Sequence, residues 1–121
     1  AIGADGIIVT QSGSPLVMLD ELIAAVEQLR AVFPIVKTYL GCVPIYPGVL
    51  WSFTAASNTL DPAAVDPVRI AARLRANGKP TGWYTPDIHC AAFALPNFLA
   101  AALGMQTADE PSALPLPISG E

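Results

Sequence analysis

Charge is what this chain has least of. Only 13% of its 121 residues are charged, against roughly 25% in an average soluble domain, so much of the surface is expected to lie against more protein. Basic residues are the scarcest: six Lys and Arg face ten Asp and Glu, for a net charge of −4. The six are scattered, which leaves no stripe to track a phosphate backbone and excludes nucleic acid as a partner. The acidic balance is compatible with a cationic small-molecule ligand, but −4 is an ordinary solubility charge, and that plainer reading takes precedence. Cys42 and Cys90 stand far apart without CxxC spacing, and a single His89 completes no metal set with them. A reduced, cytoplasmic chain is the expectation, with neither a secretory leader nor a lipidation signal read at the N-terminus. No GxGxxG or phosphate-cradling loop is found, so Gly13 and Gly48 are read as turn residues.

What the chain does have is apolar residues, at 53%, enough for one small core. Two uncharged stretches, Thr38 to Leu60 and Cys90 to Ala108, exceed a bilayer's thickness or approach it. Both are broken by prolines and glycines, which would strand backbone groups in lipid, so they read as interior segments of a soluble fold.

Gly6 to Gln11 is a short, β-branched, nearly continuous apolar run, the pattern of a strand buried on both faces as in a parallel sheet. It stops at the turn cluster Ser12-Gly13-Ser14-Pro15. Leu19, Leu22, Ile23, Val26, Leu29 and Phe33 then recur at helical intervals, with Asp20 and Glu21 at the favourable front end and Pro34 as the stop. Ile35 to Val43 and Leu50 to Ala56 read as strands. Their link, Pro44-Ile45-Tyr46-Pro47-Gly48, is too short for a helical crossover, so the two pair antiparallel. Asp66-Pro67 opens a helix that closes at Asn77-Gly78, Thr85-Pro86 opens another through Phe93, and Leu95-Pro96 restarts it as far as Leu103, before Gly104. Pro111, Pro115 and Pro117 mark a loose tail.

The order strand, helix, strand, strand fits the far end of a mostly parallel sheet with an antiparallel terminal strand. Because its first strand is apolar on both faces, it belongs in a sheet interior, beside partners this sequence does not supply.

In such sheets ligands bind beyond the C-terminal ends of the parallel strands. Gln11 lies there, with an amide that donates and accepts and can orient an amine or a carboxylate; the plainer alternative is a residue that satisfies a turn. Tyr46, between two prolines, either holds its ring and hydroxyl over a ligand or fills the gap between hairpin and helix. Trp51 and Phe53 alternate with Ser52 and read as core, and Trp83-Tyr84 as a packing staple for the helix that follows. His89 is either an acid-base or ligand residue or a histidine hydrogen-bonded inside the fold. Asp5, Asp20 and Glu21 receive no catalytic role.

Three segments carry a resemblance. Asp5 to Pro15 (Asp-Gly-Ile-Ile-Val-Thr-Gln-Ser-Gly-Ser-Pro) resembles the polyamine aminopropyltransferase, or spermidine synthase, family. Phe33-Pro34-Ile35-Val36, leading through Pro44-Ile45-Tyr46-Pro47 to Leu50-Trp51-Ser52-Phe53-Thr54, is similar to its sheet-edge hairpin. Tyr84-Thr85-Pro86-Asp87-Ile88-His89, followed by Ala91-Ala92-Phe93-Ala94-Leu95-Pro96, is similar to its closing helix. The resemblance covers residues 5–103, in the family's order and spacing.

It implies an α/β fold: the C-terminal part of a Rossmann-like, class I methyltransferase-type sheet, mostly parallel, ending in an antiparallel hairpin with flanking helices. Residues 1–103 would be the C-terminal part of the catalytic domain and 104–121 a Pro-rich disordered tail. The complete enzyme would move an aminopropyl group from decarboxylated S-adenosylmethionine, a co-substrate, to putrescine or a related diamine or polyamine. The glutamine and tyrosine matching Gln11 and Tyr46 line the family's amine acceptor pocket. The glycine-rich motif, the acidic residue for the donor ribose and the catalytic aspartate lie upstream of the first strand. No catalytic, cofactor or metal residue is therefore assigned here, and the chain is expected to be inactive without a missing N-terminal half or partner subunit. The complete form is expected to be a homo-oligomer. The alternative is a non-catalytic interaction module, or one half of a split enzyme completing a partner's sheet. Gly13 stands where many relatives are acidic, Val49 where a glycine is common, and Cys90 where an arginine is common.

Overall fold

The computed structural model describes residues 2–105. Its elements are β1 (Ile7–Gly13), α1 (Leu19–Arg30), β2 (Ile35–Cys42), β3 (Leu50–Ser57), a 3₁₀ turn (Pro62–Ala64), α2 (Pro67–Asn77), α3 (Pro86–Ala92) and α4 (Asn97–Ala102). The tail expected over 104–121 falls outside the described residues from position 106 onward.

The hairpin forms as read, with Leu40 opposite Ser52 and Ile35 opposite Ser57. β3 does not end the sheet. It lies in the middle, in the order β1-β3-β2, and pairs antiparallel with both neighbours. β1 and β2 therefore run parallel to each other with one reversed strand between them, an α/β arrangement that mixes both strand directions.

β1 is longer than its sequence pattern indicates. The ladder continues through a bulge, with Gln11 opposite Phe53 and Gly13 opposite Ser52, so Ser12 is the extra residue. Gly13 is accordingly a strand residue at the bulge, with φ 91°, rather than a residue of the following turn. Ile7, Ile8 and Val9 are 43%, 40% and 49% exposed. Their alternation puts apolar side chains on both faces beside an edge that no described strand covers.

Successive strand residues face opposite sides, which divides the molecule into layers. On one side Leu22 and Val26 of α1 pack with Leu99 and Leu103 of the α4 region, and Val36 and Leu40 reach them from the sheet. On the other side Tyr39 stacks on Phe53 at 5.3 Å, and Phe93, which ends α3, meets Tyr39 at 5.2 Å.

The helix ends follow their capping chemistry. Asp66 accepts from the Val68 N–H at 2.8 Å, Thr85 accepts from the Ile88 N–H at 3.0 Å, and each precedes a first-turn proline. Gly78 closes α2 in the left-handed region at φ 69°. No helix among the described residues is long and apolar enough to cross a membrane.

Candidate functional site

Gln11 and Tyr46 are far apart in sequence and come from different elements, yet one side chain joins them. The indole Nε1 of Trp51 donates to Gln11 Oε1 at 3.1 Å. The Tyr46 ring lies against the same indole, with centroids 4.5 Å apart and planes tilted by 53°. Trp51 itself is 9% exposed, so it is core, as its alternation indicates. It is also the hinge-pin of the site, which alternation does not reveal.

An indole N–H donates only, so the amide atom facing it must be the oxygen. This fixes which way Gln11 points. Both N–H bonds of its Nε2 and one lone pair of Oε1 stay available to a ligand at the C-terminal end of β1. Tyr46 adds a hydroxyl and a ring face, the latter able to attract an ammonium group. Donors, an acceptor and a π-face side by side suit an amine better than an anion.

The turn that follows β1 and the hairpin loop that carries Tyr46 are docked on each other. Gly48 has φ 81°, and a β-carbon there would stand 2.8 Å from Ser14 Oγ. Only glycine fits both the conformation and the gap. Tyr46 is held by its own loop: its N–H donates to Val43 O at 3.0 Å, and its carbonyl accepts from Val49 N–H at 3.0 Å. Val49 follows Gly48 into the left-handed region with φ 61°, a strained position for a β-branched residue.

The other candidates lie elsewhere. His89 is hydrogen-bonded within the fold, and half-buried. Its Nε2 donates to the Pro62 carbonyl at 2.6 Å, so its Nδ1 accepts from the Tyr84 hydroxyl at 2.9 Å in the neutral ring. The arrangement ties α3 to the 3₁₀ turn, and the His89 ring lies 5.4 Å from Phe93, on the same side of the sheet as Gln11 but without a hydrogen bond to it. The expected Trp83-Tyr84 staple is overturned for Trp83, which is 74% exposed. Tyr84 binds His89 instead, because its hydroxyl finds a ring nitrogen one turn into the helix. Asp20 and Glu21 occupy the first turn of α1, and no group of three or more His, Cys, Asp or Glu side chains that could hold a metal is found among the described residues.

Residues 1–66 match the spermine/spermidine synthase domain. The polyamine aminopropyltransferase of Desulforudis audaxviator is 40% identical over 100 residues, which is 83% of this chain and 34% of that protein. Among solved structures, spermidine synthase from Thermotoga maritima superposes with a TM-score of 0.75 at 34% identity, covering 86% of this chain and 36% of that one. A spermidine synthase in complex with the transition-state analogue AdoDATO gives 0.74 at 34% identity, covering 86% and 34%. The chain thus spans about a third of the length of the curated relatives it matches. A domain match across more than half the sequence, joined to the same fold at a third identity, makes this chain a member of the spermine/spermidine synthase family.

Proposed function

We propose that this chain supplies the amine-acceptor side of a polyamine aminopropyltransferase. The observation that carries the reading is the Gln11–Trp51–Tyr46 contact, which presents amide donors, an amide oxygen and an aromatic hydroxyl together at the end of β1.

In the proposed reaction a neutral amine nitrogen attacks the aminopropyl carbon next to the sulfonium of decarboxylated S-adenosylmethionine. The new C–N bond forms as the C–S bond breaks, and sulfur leaves as the neutral thioether of methylthioadenosine. The nitrogen then gives up a proton to a carboxylate. Gln11 and Tyr46 orient the acceptor, which is a positioning task, since in-line attack depends on placing the nitrogen behind the departing sulfur. The donor cradle and the proton-accepting carboxylate are proposed to reside on polypeptide outside this sequence. The reaction needs no metal or resident cofactor. We place the complete enzyme in the cytoplasm, as a homo-oligomer.

Mixing this chain with an N-terminal half from a family member, and assaying methylthioadenosine release with putrescine, tests the reading. Release that needs both pieces, and whose kcat/KM falls about tenfold or more in Gln11→Ala or Tyr46→Ala, supports it. Release that is indifferent to both substitutions rejects their roles. Pairing of the two pieces without any release favours the non-catalytic module, a reading for which the exposed apolar edge of β1 speaks.

A further inference from the structure

Between the sheet and α1 lie four buried hydroxyls: Thr38 on β2, Thr54 and Ser52 on β3, and Ser12 at the bulge of β1. They touch in sequence: Thr38 Oγ1 to Thr54 Oγ1, Thr54 Oγ1 to Ser12 Oγ, and Ser12 Oγ to Ser52 Oγ, each at 2.9 Å. Ser52 Oγ then reaches the Gly13 carbonyl at 2.7 Å.

The direction of this chain follows from proton counting. A carbonyl only accepts, so the single proton of Ser52 is committed to Gly13. At its contact with Ser12, Ser52 must therefore accept, and Ser12 spends its proton there. Thr54 must then donate to Ser12, and Thr38 to Thr54. Every hydroxyl proton is assigned, running from β2 across β3 to a single outlet on the backbone of β1.

That outlet sits at the bulge, two residues beyond Gln11 and on the opposite face of the sheet from it. A slip of one residue in β1 would turn Gln11 to the α1 side and away from Trp51. From this we infer that Ser12 and Ser52 are positioning residues for Gln11: the directed hydroxyl chain holds the bulge in register and so aims the amide at the acceptor site. The inference deepens the acceptor-site reading and rests on it for the role of Gln11 toward an amine.

Its polarity makes it testable without substrate. Thr38→Val removes the head of the chain and strands no donor, whereas Ser52→Ala strands one hydroxyl proton, because three hydroxyls then share two contacts, together with the Gly13 carbonyl, in a buried setting. The experiment follows hydrogen exchange of the Trp51 indole N–H in the full chain by NMR, with the signal assigned through its loss in Trp51→Phe and the exposed Trp83 as internal control. Ser52→Ala is expected to speed exchange about tenfold or more, Ser52→Thr to restore the slow rate, and Thr38→Val to stay within about twofold of the parent. If Ser52→Ala fails to fold, Ser12→Ala takes its place, with the same acceleration expected. Equal effects of the head and outlet substitutions, or one common rate in all variants, overturn the inference. Because no amine is present, that failure is separable from a failure of the methylthioadenosine assay.

Discussion

Gly48 faces Ser14 across two loops with no room for a β-carbon, which would stand 2.8 Å from the serine oxygen. The contact joins the end of β1 to the hairpin loop, and with it the segment of Gln11 to that of Tyr46.

Gly48→Ala should therefore act on both stability and site. A side chain at φ 81° is strained, and Ser14 must also move, for a combined loss of about 1–3 kcal/mol. Urea unfolding measures the loss, and tryptophan emission should change as the Tyr46 ring moves off the Trp51 indole.

Val49→Gly should have the opposite sign. The left-handed strain of a β-branched residue outweighs the greater flexibility that glycine brings to the unfolded chain, giving a net gain of about 1 kcal/mol. The check is a rise of several degrees in Tm by calorimetry.

Trp51→Phe keeps the ring packed against Tyr46 but removes the donor to Gln11 Oε1. In the reconstituted enzyme the amine KM should rise about three- to tenfold with kcat little changed, the value of one hydrogen bond. Steady-state kinetics with varied putrescine separates the two constants.

Burial pushes the Tyr39 phenol above its ordinary value. The folded state therefore holds that proton more tightly than the unfolded chain does. The associated stability is fully present below the ordinary phenol range and is lost as pH rises through the raised folded value. Urea midpoints taken from pH 8 upward should fall on the alkaline side, and Tyr39→Phe should flatten that decline.

The edge of β1, which no strand among the described residues covers, should drive self-association of the chain when it is studied alone, through Ile7 and Val9 on one face and Ile8 on the other. Val9→Lys places a charge on that edge and should shift the chain toward monomer in sedimentation velocity.

Local chemistry made much of this molecule readable in advance. Asp66-Pro67, Thr85-Pro86 and Gly78 announce helix ends because each satisfies a specific backbone group, and the short Pro44–Gly48 link dictates an antiparallel hairpin. Long-range register is another matter. The insertion of β3 between β1 and β2 depends on which edge the hairpin presents, and neither strand's pattern encodes that. The bulge at Ser12 was hidden for the same reason, since a serine before a glycine reads as a turn until a partner strand supplies Ser52. Position and resemblance single out Gln11 and Tyr46 as candidates, but they do not point to Trp51: a tryptophan alternating with serine reads as core, and its indole donor becomes informative only once Gln11 lies across the ladder. Trp83 failed as a staple because its neighbour Tyr84 found a partner in His89, leaving the indole in solvent.

The loop from Val43 to Val49 closes on itself through three backbone hydrogen bonds and sets the Tyr46 ring against Trp51 with no ligand required. Its conformational entropy is thus surrendered during folding. Under the proposed acceptor role, an incoming amine would meet a wall already in shape, and the affinity gained there would not be diminished by the cost of ordering that segment.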